Sequence, residues 1–287
     1  MIAPDNRVSV VIVTHNRANE LLRTLQHLRA LPEQPAIVVV DNASLDHTSI
    51  LVRRDFPDVK LIQLRQNLGA AGRNIGVQQV QSRYVAFSDD DSWWAPGALT
   101  QAADLLDAYP QIALLTARVL VGSEGREDPA STEMGMSPLP SDSLPGRAVL
   151  GFLAGATVFR RDAFEQAGGF DPHFLVGGEE ALMALDLVTN GWTLVYAPQL
   201  IVHHYPSLQR NNLMRRKIMM RNAIWVAWLR RPLGGALTET LQILKAAHQQ
   251  TMLLAILTAT VRGLPWVLRK RRVIPLRVDA LYRQLCR

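Results

Sequence analysis

Three aspartates in a row, Asp89, Asp90 and Asp91, directly follow the apolar run "YVAFS". Adjacent carboxylates repel, so they need water, a cation or a partner group. One reading is a solvated loop. The other is a hard divalent cation, because Mg²⁺ and Mn²⁺ take few protein carboxylates and fill their shell with phosphate oxygens and water. Asp89 and Asp91 have the D-x-D spacing that suits the second reading. Asp41 closes another apolar run, "AIVVVD", and can accept from a base N–H or a ribose hydroxyl. Glu179 and Glu180 follow a double glycine and open a helical stretch. A helix dipole explains one such carboxylate but explains a pair less well. His203 and His204 end a strand, where neighbours point to opposite faces, so only one enters a given site easily; His203 is the expected one. Trp93 and Trp94 are either core residues, a surface for stacking a sugar ring, or a brace for an acceptor.

These residues need a scaffold, and the hydrophobic pattern supplies one. "VSVVIVT" (8–14), "AIVVVDNAS" (36–44), "VKLIQL" (59–64) and "YVAFS" (84–88) read as buried strands. Between them, 17–31 places leucines at helical spacing, 45–57 reads as a helix closed by Pro57, and 70–81 as a helix punctuated by glycine. This alternation predicts an α/β fold with a doubly wound, mostly parallel sheet and ligands at the carboxyl ends of its strands. Asp41 and Asp89–Asp91 fall at such ends. Further on, 96–109 reads as a helix and 122–146 as a long loop without periodicity, of the kind that is usually functional. "TLVYAP" and "LIVHHYPS" read as separate extended pieces.

The 287 residues suffice for one large domain or two smaller ones. A single cysteine, Cys286, excludes an intrachain disulfide framework and a cysteine-based zinc site, and fits a reducing compartment. The N-terminal stretch does not read as a secretory signal, which points to a cytoplasmic protein. Net charge is +6 and unevenly spread: residues 1–207 are acidic, while 208–287 contain only Glu239 and Asp279 against many arginines. The chain is therefore divided into a 1–207 domain and a basic, apolar-rich 208–287 region, with helices expected at about 209–230 and 236–262. The apolar segment "MLLAILTATV" is too short to cross a bilayer. With Trp266 beside Arg269–Arg272, it fits a helix lying on the anionic inner face of a membrane, or else a helical layer packed on the domain. Nucleic acid is not the expected partner, since the region is as rich in Leu, Met and Trp as in Arg; oligomerisation is left open.

Six stretches in order, "VSVVIVTHNR", "VVVDNAS", "NLGAAGRNIG", "YVAFSDDDSWWAPGAL", "AGGFDPHFLVGGEEALMALDLVTNGW" and "VHHYPS", resemble family 2 glycosyltransferases over about residues 7–207. The resemblance implies a GT-A fold with a C-terminal helical extension. It also implies inverting transfer of a sugar from a nucleotide-diphospho-sugar to an acceptor hydroxyl, with Mg²⁺ or Mn²⁺ as cofactor. The basic tail is similar to that of bacterial members acting on lipid-linked or cell-surface glycans. Position by position, the resemblance places Thr14, Asn16, Asp41, Arg73 and Asn74 at the nucleotide. Asp91 becomes the leading metal ligand with Asp89 beside it, and Asp89 or Asp90 serves ribose, sugar or metal. A histidine at 203 or 204 joins the metal shell or touches the diphosphate. The family's general base falls on Glu180, one methylene longer than the usual aspartate, and the next acidic position is Leu182. The base therefore stays open between Glu180 and Glu179. A sugar nucleotidyltransferase lacks its Gly-rich loop here. A phosphatase of the haloacid dehalogenase class would have its motif on an earlier strand. A non-catalytic nucleotide-sugar-binding module would be expected to have lost these carboxylates.

Overall fold

A computed structural model describes residues 5–207 and 212–285. The β-branched runs form the expected parallel strands: β1 (Val8–Thr14), β2 (Ala36–Asp41), β3 (Lys60–Gln63) and β4 (Tyr84–Asp89). β1 lies between β2 and β4 and pairs in parallel with both, which sets Thr14 opposite Asp41 and Val13 opposite Asp89. Ligand-type residues from separate strands thus finish at one edge of the sheet. The crossovers are helices α1 (Ala18–Arg29), α2 (Thr48–Asp55) and α3 (Gly72–Val77), the last preceded by a 3-10 turn at Gly69–Ala71. On α1, the leucine spacing buries Leu21, Leu25 and Leu28 against the sheet.

The sheet continues past β4 into a mixed region. β5 (Ser92–Trp94), α4 (Ala98–Ala108), β6 (Ile112–Val121), β7 (Arg126–Glu127), α5 (Pro129–Gly135), β8 (Arg147–Ala148), β9 (Ala156–Arg160), α6 (Arg161–Gln166), α7 (Glu179–Thr189) and β10 (Thr193–His204) follow in chain order. The ten-stranded sheet runs β3-β2-β1-β4-β9-β6-β10-β5, with β7 on β6 and β8 on β10. In it, β9 is antiparallel to β4 and β6, while β6 and β10 pair in parallel.

Several expectations change here. "SWW", to which the sequence reading gave no element, is a strand that pairs antiparallel with the end of β10. The two extended pieces near 193–204 are one strand with an irregularity between Ala197 and Ile201. The 122–146 segment is not all loop. Asp128 caps α5 by accepting from the Ala130 N–H at 2.9 Å, and Pro129 occupies the first turn, where its missing N–H costs nothing. The 70–81 helix is shorter than expected, ending at Val77.

In the C-terminal region, α8 (Asn212–Arg230) agrees with the expected first helix. The expected second helix is instead two, α9 (Leu233–Gln249) and α10 (Leu253–Lys270), separated at Thr251, whose φ of 56° breaks the helical path. A short α11 (Leu276–Leu285) follows. Cys286 lies outside the described residues. These helices share a core with the N-terminal α/β part: Phe174, Leu182 and Leu185 pack with Trp225, Val226, Leu229, Trp266, Val267 and Ile274. Arg230 closes the junction with a double hydrogen bond to Asp186, at 2.5 and 2.8 Å. Trp266 is consequently not interfacial. It is 8% exposed and stacks on His173 at 4.1 Å.

Candidate active site

Strand ends, the turn before α7 and the start of α8 enclose a cleft of about 620 Å³. Two carboxylate clusters line it. The first is Asp89–Asp91, at the end of β4. Asp90 and Asp91 are buried, and both are met by Arg17 at the start of α1, whose Nη1 lies 3.1 Å from Asp90 Oδ1 and 3.3 Å from Asp91 Oδ2. Thr14 Oγ1 donates to Asp90 Oδ2 at 3.0 Å. Burial pushes the Asp90 carboxyl up to about 7, opposed by Arg17 and reinforced by its two aspartate neighbours. Asp91 also accepts from the Ser207 N–H at 3.2 Å, and His204 Nε2 is 3.3 Å from its Oδ1. Asp89 is the most open of the three and pairs with the Arg73 guanidinium at 2.5 Å.

The second cluster is Glu179 and Glu180. Gly177 and Gly178 hold φ values of 73° and 95°, which turn the chain sharply into α7. A Cβ on Gly178 would come within 2.8 Å of the Asn222 Cβ. Asn222, buried on α8, fixes this turn by donating to the carbonyls of Val176 at 3.1 Å and Gly177 at 2.5 Å. Both glutamates sit in the first turn of α7, where the helix dipole favours negative charge. Glu180 Oε1 accepts from the Ala154 N–H at 2.7 Å. Burial and the neighbouring Glu179 push its carboxyl up to about 7, and burial raises Glu179 as well. The buried Glu179 Oε2 has no hydrogen-bond partner among the described residues.

One segment touches both clusters. Ala154 holds Glu180, while the next residue, Gly155, packs so closely on Asp89 that a Cβ would lie 2.5 Å from its Cγ. Ser92 ties the same place together, accepting from the Asp89 N–H at 2.9 Å and donating to the Gly155 carbonyl at 3.2 Å.

Of the residues expected in the site, Thr14, Arg73, Asp89, Asp90, Asp91, Glu179, Glu180 and His204 line this cleft. Others stand elsewhere. His203 faces Trp93 across the β10–β5 pair, at 6.2 Å between ring centroids, so register sends His204 rather than His203 to Asp91. Trp94 is fully buried and donates its indole N–H to the Phe87 carbonyl at 3.2 Å. Trp93 is stacked between His27 and Tyr205 at 4.0 and 4.9 Å. Both tryptophans are packing residues behind the aspartates. Asn74 spends its amide on the Phe170 backbone at 2.8 and 2.9 Å. Asn16 accepts from the Leu45 N–H at 2.7 Å and so pins the turn after β2. Asp41 is buried and accepts from the Ser44 N–H at 2.8 Å; its neighbour Asn42 lines the cleft instead. Arg17, Asn42, Ala154 and Arg215 are cleft residues that the sequence reading did not single out.

Among the described residues, no three His, Cys, Asp or Glu side chains are gathered as a metal site. Asp91 and His204 nevertheless bring a carboxylate oxygen and an imidazole nitrogen within 3.3 Å. Such a pair fits a cation whose remaining ligands are diphosphate oxygens and water.

The family profile described as Glycosyl transferase family 2 matches residues 9–168. The chain belongs to glycosyl transferase family 2. Curated relatives of this glycosyltransferase include an N-acetylglucosaminyl-diphospho-decaprenol L-rhamnosyltransferase of Mycobacterium tuberculosis, 27% identical over 231 residues, which are 68% of this chain and 75% of the relative. Among solved structures, S. aureus TarS 1–349 in complex with UDP-GlcNAc superposes with a TM-score of 0.67 at 19% identity, covering 96% of this chain and 83% of that one. The mannosyltransferase PcManGT from Pyrobaculum calidifontis, in complex with GDP-Man and Mn²⁺, gives 0.61 at 19% identity, with 99% and 88% covered. At these identities the structures establish the shared GT-A-type fold.

Proposed function

We propose that this glycosyltransferase is metal-dependent and inverting. It moves a sugar from a nucleotide-diphospho-sugar to a hydroxyl of a lipid-linked glycan at the cytoplasmic face of the membrane. The reading is carried by one observation: cation-paired aspartates and raised-pKa glutamates line a single cleft, joined by the Ala154–Gly155 segment. The activity of the rhamnosyltransferase relative and the nucleotide-sugar and Mn²⁺ ligands of the solved neighbours support it.

In this reading, Asp91 and His204 would hold Mg²⁺ or Mn²⁺, with Asp89 nearby. The cation, when bound, offsets charge on the diphosphate leaving group. Arg73, now paired with Asp89, lies where it can share that charge with a phosphate oxygen. Asn42 and Thr14 line the nucleotide side of the cleft. Glu180 takes the acceptor hydroxyl proton as the acceptor oxygen bonds to the anomeric carbon and the bond to the diphosphate oxygen breaks. A base with a pKa of about 7 is well matched to that task near neutrality. The Ala154 N–H fixes one carboxylate oxygen, which leaves the other for the acceptor. Residues 1–207 would form the donor-binding domain, and the 208–287 region would buttress it and hold it at the membrane.

The test is calorimetry of the full chain with a panel of nucleotide-diphospho-sugars, with and without Mn²⁺. Binding of one donor, strengthened by Mn²⁺, is expected. Failure of every nucleoside diphosphate and sugar conjugate to bind would overturn the reading.

A further inference from the structure

Helix α10 is apolar on two sides. One side is buried: Ile256, Trp266 and Val267 pack inward, and the Trp225 indole donates to the Thr260 carbonyl at 3.1 Å. The other side is open. Leu254, Val261 and Leu268 are 76, 59 and 59% exposed, and Leu257 lies on the same face. Their spacing of three, four and seven residues places them in one stripe along the helix. Arg262 and Arg269 flank this stripe, and the exposed Lys270 and Arg272 follow at its C-terminal end. Past α10, Val273 and Leu276 are also exposed. Between Glu239 and Asp279 the sequence contains no acidic residue. Asp279 itself is buried and paired with Arg231 at 2.6 Å, so it does not soften the charge of this face. No helix among the described residues is long and apolar enough to cross a membrane.

We infer that the exposed stripe of α10, with its arginine rim, docks on the surface of an anionic lipid bilayer. Leucines and a valine would enter the boundary between headgroups and acyl chains, while the arginines and Lys270 meet lipid phosphates. A second copy of the chain is the poorer occupant. A two-fold pairing of this stripe would set one arginine rim near the other, with no carboxylate on α10 to pair with either. The face extends the proposed use of a lipid-linked acceptor and rests on that reading for its purpose. It keeps the apolar segment 252–261 and the Arg269–Arg272 cluster of the sequence expectation but not Trp266, which belongs to the core.

The experiment is co-sedimentation of the full chain with phosphatidylcholine vesicles and with vesicles containing about one quarter phosphatidylglycerol. The chain is expected to sediment with the anionic vesicles and far less with the neutral ones. Two variants test the face separately: Leu254→Ser with Val261→Ser and Leu268→Ser, and Arg262→Glu with Arg269→Glu. Each is expected to lose about tenfold or more in vesicle affinity, with thermal unfolding and nucleoside-diphosphate binding unchanged. Absence of binding to anionic vesicles overturns the proposal, as does wild-type binding by the arginine variant. A dimer that the leucine variant converts to monomer, with vesicle binding intact, overturns it in favour of a second copy. Vesicle binding without any nucleotide binding would instead sink the transfer reading and leave this surface standing.

Discussion

Two carboxylate clusters line the same cleft and are handled in opposite ways. Asp89, Asp90 and Asp91 are each met by a positively charged or histidine side chain: Arg73, Arg17, and Arg17 with His204. Among the described residues, no side-chain cation is at hydrogen-bond distance of Glu179 or Glu180; Arg73 acts on them only at longer range. Glu180 is held by a backbone N–H, which orients a carboxylate without adding a full positive charge. Burial then raises both glutamates. A cluster wired to cations is suited to holding charge. Burial raises Asp90 to about 7 as well, so the partners rather than the pKa separate the clusters: a carboxylate held by a main-chain N–H with no cation paired to it is the one suited to moving a proton. In the proposed reading, this difference gives donor and metal to the aspartates and acceptor chemistry to the glutamates.

The largest effect expected from breaking this contrast is at Asp91. Asp91→Asn removes a negatively charged carboxylate beside His204, and both nucleotide-sugar affinity and turnover should fall, the latter by about 10³-fold or more. The Mn²⁺ dependence of nucleotide binding should fade with them. Calorimetry with and without Mn²⁺ checks this, and a variant whose nucleotide binding still responds to Mn²⁺ like the wild type would remove Asp91 from the metal site.

A smaller effect sharpens the glutamate side. Glu180 works as a base only when ionised, so turnover should rise with pH through about 7. Glu179 is the second cause of that raised value, after burial. Glu179→Gln removes its charge and should move the acid limb of the pH–rate profile to lower pH. An unmoved limb would mean that the pair does not titrate as coupled neighbours. The same raised pKa has a cost in stability: the folded state keeps a proton that the unfolded chain releases from about pH 4.5 upward. The cost is absent below about pH 4.5, grows as pH rises and is complete above about 7, so stability from this group is present at low pH and lost through that window.

Much of this architecture was legible in the sequence because it rests on periodicity. The continuous β-branched runs of β1, β2 and β4 and the leucine spacing of α1 can be satisfied only by buried strands and a packed crossover helix. Asp89–Asp91, Glu179 and Glu180 were visible because charge after apolar runs and paired glycines is conspicuous. Register was not visible. His203 and His204 are adjacent, and only the pairing of β10 with β5 decides which faces Asp91. The tryptophans could not be told apart from a binding surface in sequence, because the strand they form is three residues long and follows a polar motif; of the alternatives, the structure has them as core. Arg17 gave no signal, since an arginine at a helix start is ordinary. The Ala154 N–H gave none, since a main-chain donor has no side chain to read. Asn222 acts from a helix distant in sequence, and no local pattern joins it to Gly177.

The division of labour between the clusters is tested most directly by Glu180→Gln, with donor affinity and turnover measured on the same preparation. Glutamine keeps the oxygen that accepts from Ala154 but cannot take the acceptor proton. Donor affinity with Mn²⁺ should stay within about twofold while turnover falls by about 10²–10⁴-fold. Turnover at the wild-type rate would contradict the account, and so would a loss of donor binding as large as the loss of turnover.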